Sequence, residues 1–336
     1  MFNILKYNTR LILGNRGGDM SKYAVIVGHG RSGTNWLLEL FNYSEDTYCR
    51  NEPHELLASP ISQLNSYRVV VRKDQAQLVS HWDNIIDSTS NRMGVYDEWI
   101  KPNKKYFNLK KVLYIIIRSN KIRKILSCFF KSLKGDEWVF PLRSVKIDEW
   151  NEAYKIFKFV QSPGWTVFLL NRKNNVNIFH IVRHPGGFLN SWKNRYLSTE
   201  EREAVHSANI ERLKTVARED ARWESIFGDI GNLGLNESEL WYWYYANQVI
   251  YEEGKGKPTY TLIQYEELTK QPVNVLDKLY KAIGLVITED VKNHVLASAQ
   301  TSETISGSWR NKLSVSEIAL CEQFADLATE SFLSPL

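Results

Sequence analysis

The chain has 336 residues, enough to bury one large core or two smaller ones, and its 43% hydrophobic content is ordinary for a globular protein. The net charge of +5 hides an asymmetry, because residues 101–135 carry eleven Lys/Arg and no Asp or Glu, which leaves the remainder net acidic. Three widely separated cysteines (Cys49, Cys128, Cys321) exclude a disulfide framework and a structural zinc site, and no run reaches the roughly 18–20 apolar residues of a membrane span, so a reducing, cytoplasmic setting is expected.

Residues 1–19 mix apolar residues with bases but lack a continuous hydrophobic stretch and a small-residue cleavage site, and read as a poorly ordered arm. A single α/β domain is expected over 20–336. It opens with Tyr23 to Val27, an uninterrupted apolar run that suits a strand buried on both faces of a parallel sheet. Gly28, Gly30 and Gly33 then allow a tight turn, and from Thr34 the residues Trp36, Leu37, Leu40 and Phe41 follow helical spacing. Free N–H groups and a helix dipole therefore converge on one point, which favours an anion such as phosphate. A Walker loop needs a Lys between its last Gly and the Ser/Thr, whereas Gly33 is followed directly by Thr34, so a magnesium-nucleotide site is disfavoured.

The string Gly30-Arg31-Ser32-Gly33-Thr34-Asn35-Trp36 resembles the 5′-phosphosulfate loop of the sulfotransferases, enzymes that move a sulfuryl group from 3′-phosphoadenosine 5′-phosphosulfate (PAPS) to an acceptor and leave 3′-phosphoadenosine 5′-phosphate (PAP). The resemblance implies an α/β, P-loop-like three-layer fold with a central parallel sheet flanked by helices. It also implies that Ser32, Thr34, Asn35 and the loop N–H groups hold the phosphosulfate, that Arg31 is the loop cation, and that Trp36 stacks on adenine.

Next comes Asp46 to Leu57, in which Tyr48 to Asn51 read as a short extended segment and Pro53 restricts Glu52 to the end of it. A hydroxyl acceptor must lose a proton as it attacks sulfur, and a fixed carboxylate or imidazole can take it. Glu52 and His54 are the candidates, against the alternative that this acidic stretch simply starts a helix. A similar Glu-Pro in sulfotransferases of bacterial and carbohydrate-modifying type implies Glu52. A helix is expected near Asp74 to Ile86, then a strand at 112–117 and a basic helix at 121–131. The basic insertion around 101–135 is either a solvated face or a surface that attracts an anionic cofactor or acceptor.

Ile178 to Val182 form a second buried strand, followed by a turn at Pro185-Gly186-Gly187 and a helix from Phe188. Arg183 leaves the strand end and Ser191 follows eight residues later. A similar Arg…Ser pair in sulfotransferases implies that Arg183 and Ser191 hold the 3′-phosphate, a role suited to the planar guanidinium fork. Sulfotransferases often carry Arg-Asp where this chain has Gly186-Gly187, so one local salt bridge is missing.

A polar helix is expected from Ser198 to about Phe227, with Ser198 and Glu201 as its capping box. The aromatic cluster Trp241 to Tyr245 reads as core packing on a helix capped by Asn236 or Ser238, the alternative being a platform that stacks on sugar rings or bases. A strand at Tyr260 to Tyr265 precedes a helix that Pro272 opens and Gly284 stops. This segment looks like its sulfotransferase counterpart, which places Tyr265 near the nucleotide. Finally, Gly307 to Lys312 read as a basic loop before a helix capped by Ser314 and Glu317. Similarity to bacterial sulfotransferases implies that Trp309, Arg310 and Lys312 close the 3′-phosphate site, the alternative being a solvated loop.

The expected partner is a hydroxyl-bearing acceptor (a sugar, glycolipid or small alcohol, anionic or not), with no nucleic acid and no metal. A P-loop phosphotransferase would use the same first loop but should add a Walker Lys and a magnesium carboxylate. A non-catalytic module for anionic glycan or nucleic acid would explain the basic segment but not Arg183…Ser191.

Overall fold

A computed structural model of the chain describes residues 23–53, 78–83, 85–86, 153–171, 176–196 and 198–333, without the side chains of 300–305. The arm at 1–19, His54, the basic segment, and the strand and helix expected within it lie outside these residues. Five strands form one sheet in the order β2-β3-β1-β4-β5. They are β1 (Tyr23–Gly28), β2 (Thr47–Asn51), β3 (Tyr154–Val160), β4 (Asn177–Val182) and β5 (Tyr260–Gln264). Every pairing is parallel, with Val25 opposite Phe157 on one side and Ile178 on the other.

A parallel sheet must be covered on both faces, and the period-2 alternation of β1 divides its residues accordingly. Ala24 and Ile26 face one apolar layer with Leu37, Leu40 and Phe41 of α1 (Thr34–Asn42). Val25 and Val27 face the other, with Phe157, Phe159, Trp165 and the helical residues Leu78, Trp82 and Ile85. The chain is therefore a three-layer α/β structure. β3 and the following α2 (Pro163–Asn171) were not expected from the sequence.

On the second face, α3 (Pro185–Lys193), α4 (Thr199–Glu219) and α5 (Ala221–Phe227) lead to α6 (Leu235–Gly254). The polar helix expected from Ser198 is thus two, because Asp220 adopts an extended conformation and caps α5 by accepting from Arg222 N–H. The expected capping box holds, with Glu201 N–H donating to Ser198 Oγ over 3.1 Å. α6 starts at Gly234 rather than at Asn236 or Ser238; Gly234 N–H donates to Glu237 Oε2, and the Ser238 hydroxyl donates to Leu235 O instead. Tyr242, Trp243 and Tyr245 are buried in this layer, as core residues.

After β5, α7 (Tyr265–Lys270), α8 (Pro272–Ala282) and α9 (Glu289–Ser306) cover the α1 face. Tyr265 begins α7 and does not extend the strand. A 3-10 turn, Ser308–Asn311, replaces the expected loop and leads into α10 (Val315–Thr329), whose Ser314/Glu317 capping box is present. No helix among the described residues is long and apolar enough to cross a membrane.

Candidate active site

The C-terminal ends of the strands carry the polar residues singled out by their sequence. The loop between β1 and α1 closes at Gly33, whose φ of 95° is left-handed and whose missing Cβ would stand 2.5 Å from the Tyr265 ring. Only glycine fits there. Arg31 holds a positive φ of 71° and is exposed, Ser32 is fully buried with no partner for Oγ among the described residues, Thr34 is buried and Asn35 is exposed. Trp36 donates its indole N–H to Ser298 Oγ over 2.6 Å and meets the Tyr265 ring edge-on at 5.9 Å.

The second unit, β4 and α3, is joined to the first by side chains. Arg31 Nε donates to Ser191 Oγ over 3.1 Å, and Arg183 Nη1 donates to Arg31 O over 3.2 Å. Arg183 also stacks over Tyr265, 4.4 Å from the ring centroid. Among the described residues it makes no ion pair and its Nε has no hydrogen-bond partner, and it is 5% exposed. Burial disfavours its charge, an effect that neighbouring Tyr265 and Glu266 partly offset. A buried cation with a free donor is a site that an anion completes.

Gly186-Gly187 gains a physical reason here. A Cβ on Gly187 would stand 2.7 Å from Arg183 Nε, and one on Gly186 would stand 2.4 Å from the Trp309 ring. Arg-Asp at these positions would displace both Arg183 and Trp309. Trp309 is 1% exposed and stacks on His184 at 4.8 Å, so it seats the 3-10 turn against the second loop from within the core. Arg310, exposed, lies 4.3 Å over Trp309 and 3.8 Å from Glu322; Lys312 is exposed. His184 accepts from Gly186 N–H, and burial pushes its pKa down to about 4.

On the other side of the first loop, Glu52 stands at the end of β2 with a φ of 49°. Its carboxylate pairs with Lys158 Nζ at 2.9 Å, and the same ammonium donates to Asn35 Oδ1 at the start of α1. Lys158 is 3% exposed. It was missed in the sequence, where Lys155 and Lys158 break the apolar run of β3; the signal was the β-branched and aromatic content of Tyr154 to Val160 around them. The structure thus brings Arg31, Arg183, Ser191, Tyr265 and Trp36 to one part of the sheet edge. Glu52 joins the opposite end of the first loop through Lys158 and Asn35. Among the described residues no group of three or more His, Cys, Asp or Glu is placed to hold a metal.

A parallel α/β sheet bearing this pair of strand–loop–helix units at its C-terminal edge agrees with comparison against known families. A family model of the sulfotransferase domain matches residues 22–323, and the chain belongs to the sulfotransferase family. Solved structures similar to it include the sulfotransferase domain from the curacin biosynthetic pathway, at 11% identity over 93% of this chain and 99% of that chain, with a TM-score of 0.46. The sulfotransferase domain from the Synechococcus PCC 7002 olefin synthase is 16% identical over 92% of this chain and 98% of that one, with a TM-score of 0.39. A sulfotransferase from Mycobacterium avium is 12% identical over 94% of this chain and 78% of that one, with a TM-score of 0.40. A search of curated protein sequences gives no match.

Proposed function

We propose that the chain transfers a sulfuryl group from PAPS to a hydroxyl acceptor in one in-line displacement. The observation that carries this reading is the hydrogen-bonded convergence of Arg31, Ser191 and Arg183 from two strand–loop–helix units, in a chain of the sulfotransferase family. The Ser32 Oγ and Arg183 Nε, buried and without a hydrogen-bond partner among the described residues, suit a nucleotide with an anionic group at each end.

PAPS, when bound, supplies an activated sulfuryl group and a stable leaving group. The first loop's N–H groups, with Ser32, Thr34 and Asn35, hold its phosphosulfate end, and Arg183 with Ser191 holds its 3′-phosphate. Arg31, tied to Ser191, offsets negative charge between the two ends. Trp36 and Tyr265 flank the base, and Arg310 and Lys312 lie on the turn beside the 3′-phosphate clamp. Glu52 takes the acceptor proton, with Lys158 fixing its carboxylate and Asn35 holding Lys158, and His54 is the second candidate for that role.

Thermal-shift titration separates this reading from a phosphotransferase. PAP should stabilise the protein and ATP–Mg should not; the reverse outcome overturns the proposal. Mutation of the base sharpens it: Glu52→Gln should lower kcat about 10²–10⁴-fold in a labelled-PAPS assay and leave PAP affinity intact. Unchanged turnover would move the role to His54.

A further inference from the structure

Among the described residues, three that are not glycine have positive φ: Arg31 at 71°, Glu52 at 49° and Gln161 at 50°. They stand just beyond the C-terminal ends of β1, β2 and β3, which are neighbours in the sheet. Strained backbone of this kind persists where the surrounding structure holds it and gathers at functional sites. Arg31 and Glu52 already belong to the proposed machinery. Gln161 does not, and its side chain adjoins the same loop, since a Cβ on Gly30 would meet Gln161 Nε2 at 3.6 Å.

The orientation of the Gln161 amide follows from its neighbour. His29 is 1% exposed and wedged edge-on between Phe188 and Tyr242. Its Nδ1 lies 3.2 Å from Gly30 O, which can only accept, so Nδ1 carries the ring proton. Burial keeps the ring neutral, pushing its pKa down to about 3. Nε2 therefore presents a lone pair, and the Gln161 atom 3.4 Å from it must be the amide nitrogen, donating. That leaves Gln161 Oε1 as an acceptor without a partner among the described residues, one strand away from Glu52.

We propose that Gln161 determines acceptor specificity: its Oε1 accepts a hydrogen bond from a second hydroxyl of the acceptor, next to the hydroxyl that faces Glu52. The chemistry selects polyhydroxylated acceptors, sugars among them, over simple alcohols. A carbonyl oxygen rewards a donor and gives nothing to an ether or carboxylate at that position. The inference rests on the sulfotransfer reading.

The test compares trans-1,2-cyclohexanediol with cyclohexanol as acceptors of labelled PAPS. Wild-type protein should favour the diol by about tenfold in kcat/KM, the worth of one well-made hydrogen bond. Gln161→Met and Gln161→Gly should reduce the ratio to about two, the statistical factor for two hydroxyls, with the PAP-induced thermal shift retained. Gly suits the positive φ, so Gln161→Gly keeps the fold while removing the amide. A wild type that sulfates neither alcohol or shows a ratio near two overturns the inference, as does a preference that survives in both variants. Absence of PAP stabilisation in the wild type is a separate result, and it strikes the parent reading.

Discussion

The first and fourth strands of the sheet each run into a loop and a helix, yet the two units offer their donors differently. The loop after β1 spends one N–H within itself, from Ser32 to His29 O, but Gly33 and Arg31 turn left-handed and the Ser32 hydroxyl has no partner among the described residues. The loop after β4 is closed, since His184 already accepts from Gly186 N–H and Trp309 covers Gly186. Its donors are side chains, Arg183 and Ser191. In the proposed binding mode one unit therefore offers main chain and helix dipole, and the other a guanidinium for which Gly187 leaves room. Identical topology gives no warning of this; one of the contacts that seal the second loop comes from Trp309, far along the chain.

The largest effect should follow from damage to the main-chain loop. Gly33→Ala forces an L side chain into φ of 95° and sets a methyl 2.5 Å from the Tyr265 ring. Because the loop N–H groups must move, kcat/KM should fall by about 10²-fold or more. A variant that stays within a few-fold of wild type would show that the first loop does not act through its backbone. Arg183→Ala comes next. Charged hydrogen bonds are worth about 1.5–3 kcal/mol, so PAP affinity measured by calorimetry should drop by about 10- to 100-fold. Arg183→Lys should recover only part of it, since an ammonium lacks the fork.

Gly186→Ala asks whether the second loop is as closed as its contacts imply. The added methyl would stand 2.4 Å from Trp309, a buried ring that cannot yield easily, so thermal unfolding should report a loss of about 1–3 kcal/mol. PAP affinity should fall less than in Arg183→Ala. If it falls as far, the α3 N-terminus takes part in binding and the distinction between the two loops breaks down.

Features that depend on neighbours in sequence are legible in the chain itself. The apolar run into Gly28, the strand before Arg183, the capping boxes of α4 and α10, and Pro272 with Gly284 all stand where their local patterns put them. β3 is not legible in this way. Lys155 and Lys158 interrupt its apolar pattern, and both are buried, at 4% and 3% exposure; Lys158 finds partners on Glu52 and Asn35 that only the sheet order brings near. The same holds for Gly186-Gly187, a departure from the family pattern at positions where a Cβ would meet Trp309 and Arg183. Of the residues expected in the site, those on strand ends and their loops come together, and Trp309 enters from the core side. His54 and the basic segment lie outside the described residues.

The smallest effect should come from Ser191, and it tests what joins the two loops. Its hydroxyl accepts from Arg31 Nε and belongs to the side-chain clamp, so Ser191→Ala removes a neutral partner worth about 0.5–1.5 kcal/mol, a 2- to 10-fold change in kcat/KM. If Ser191 serves only the 3′-phosphate, its effect adds to that of Arg31→Ala. If it also holds Arg31 in place, the double variant should lose less than the two single losses combined, since the second change removes an interaction already gone. The hydrogen bond between them favours the second outcome. Full additivity would mean that the main-chain loop and the side-chain clamp bind their ends of the nucleotide independently.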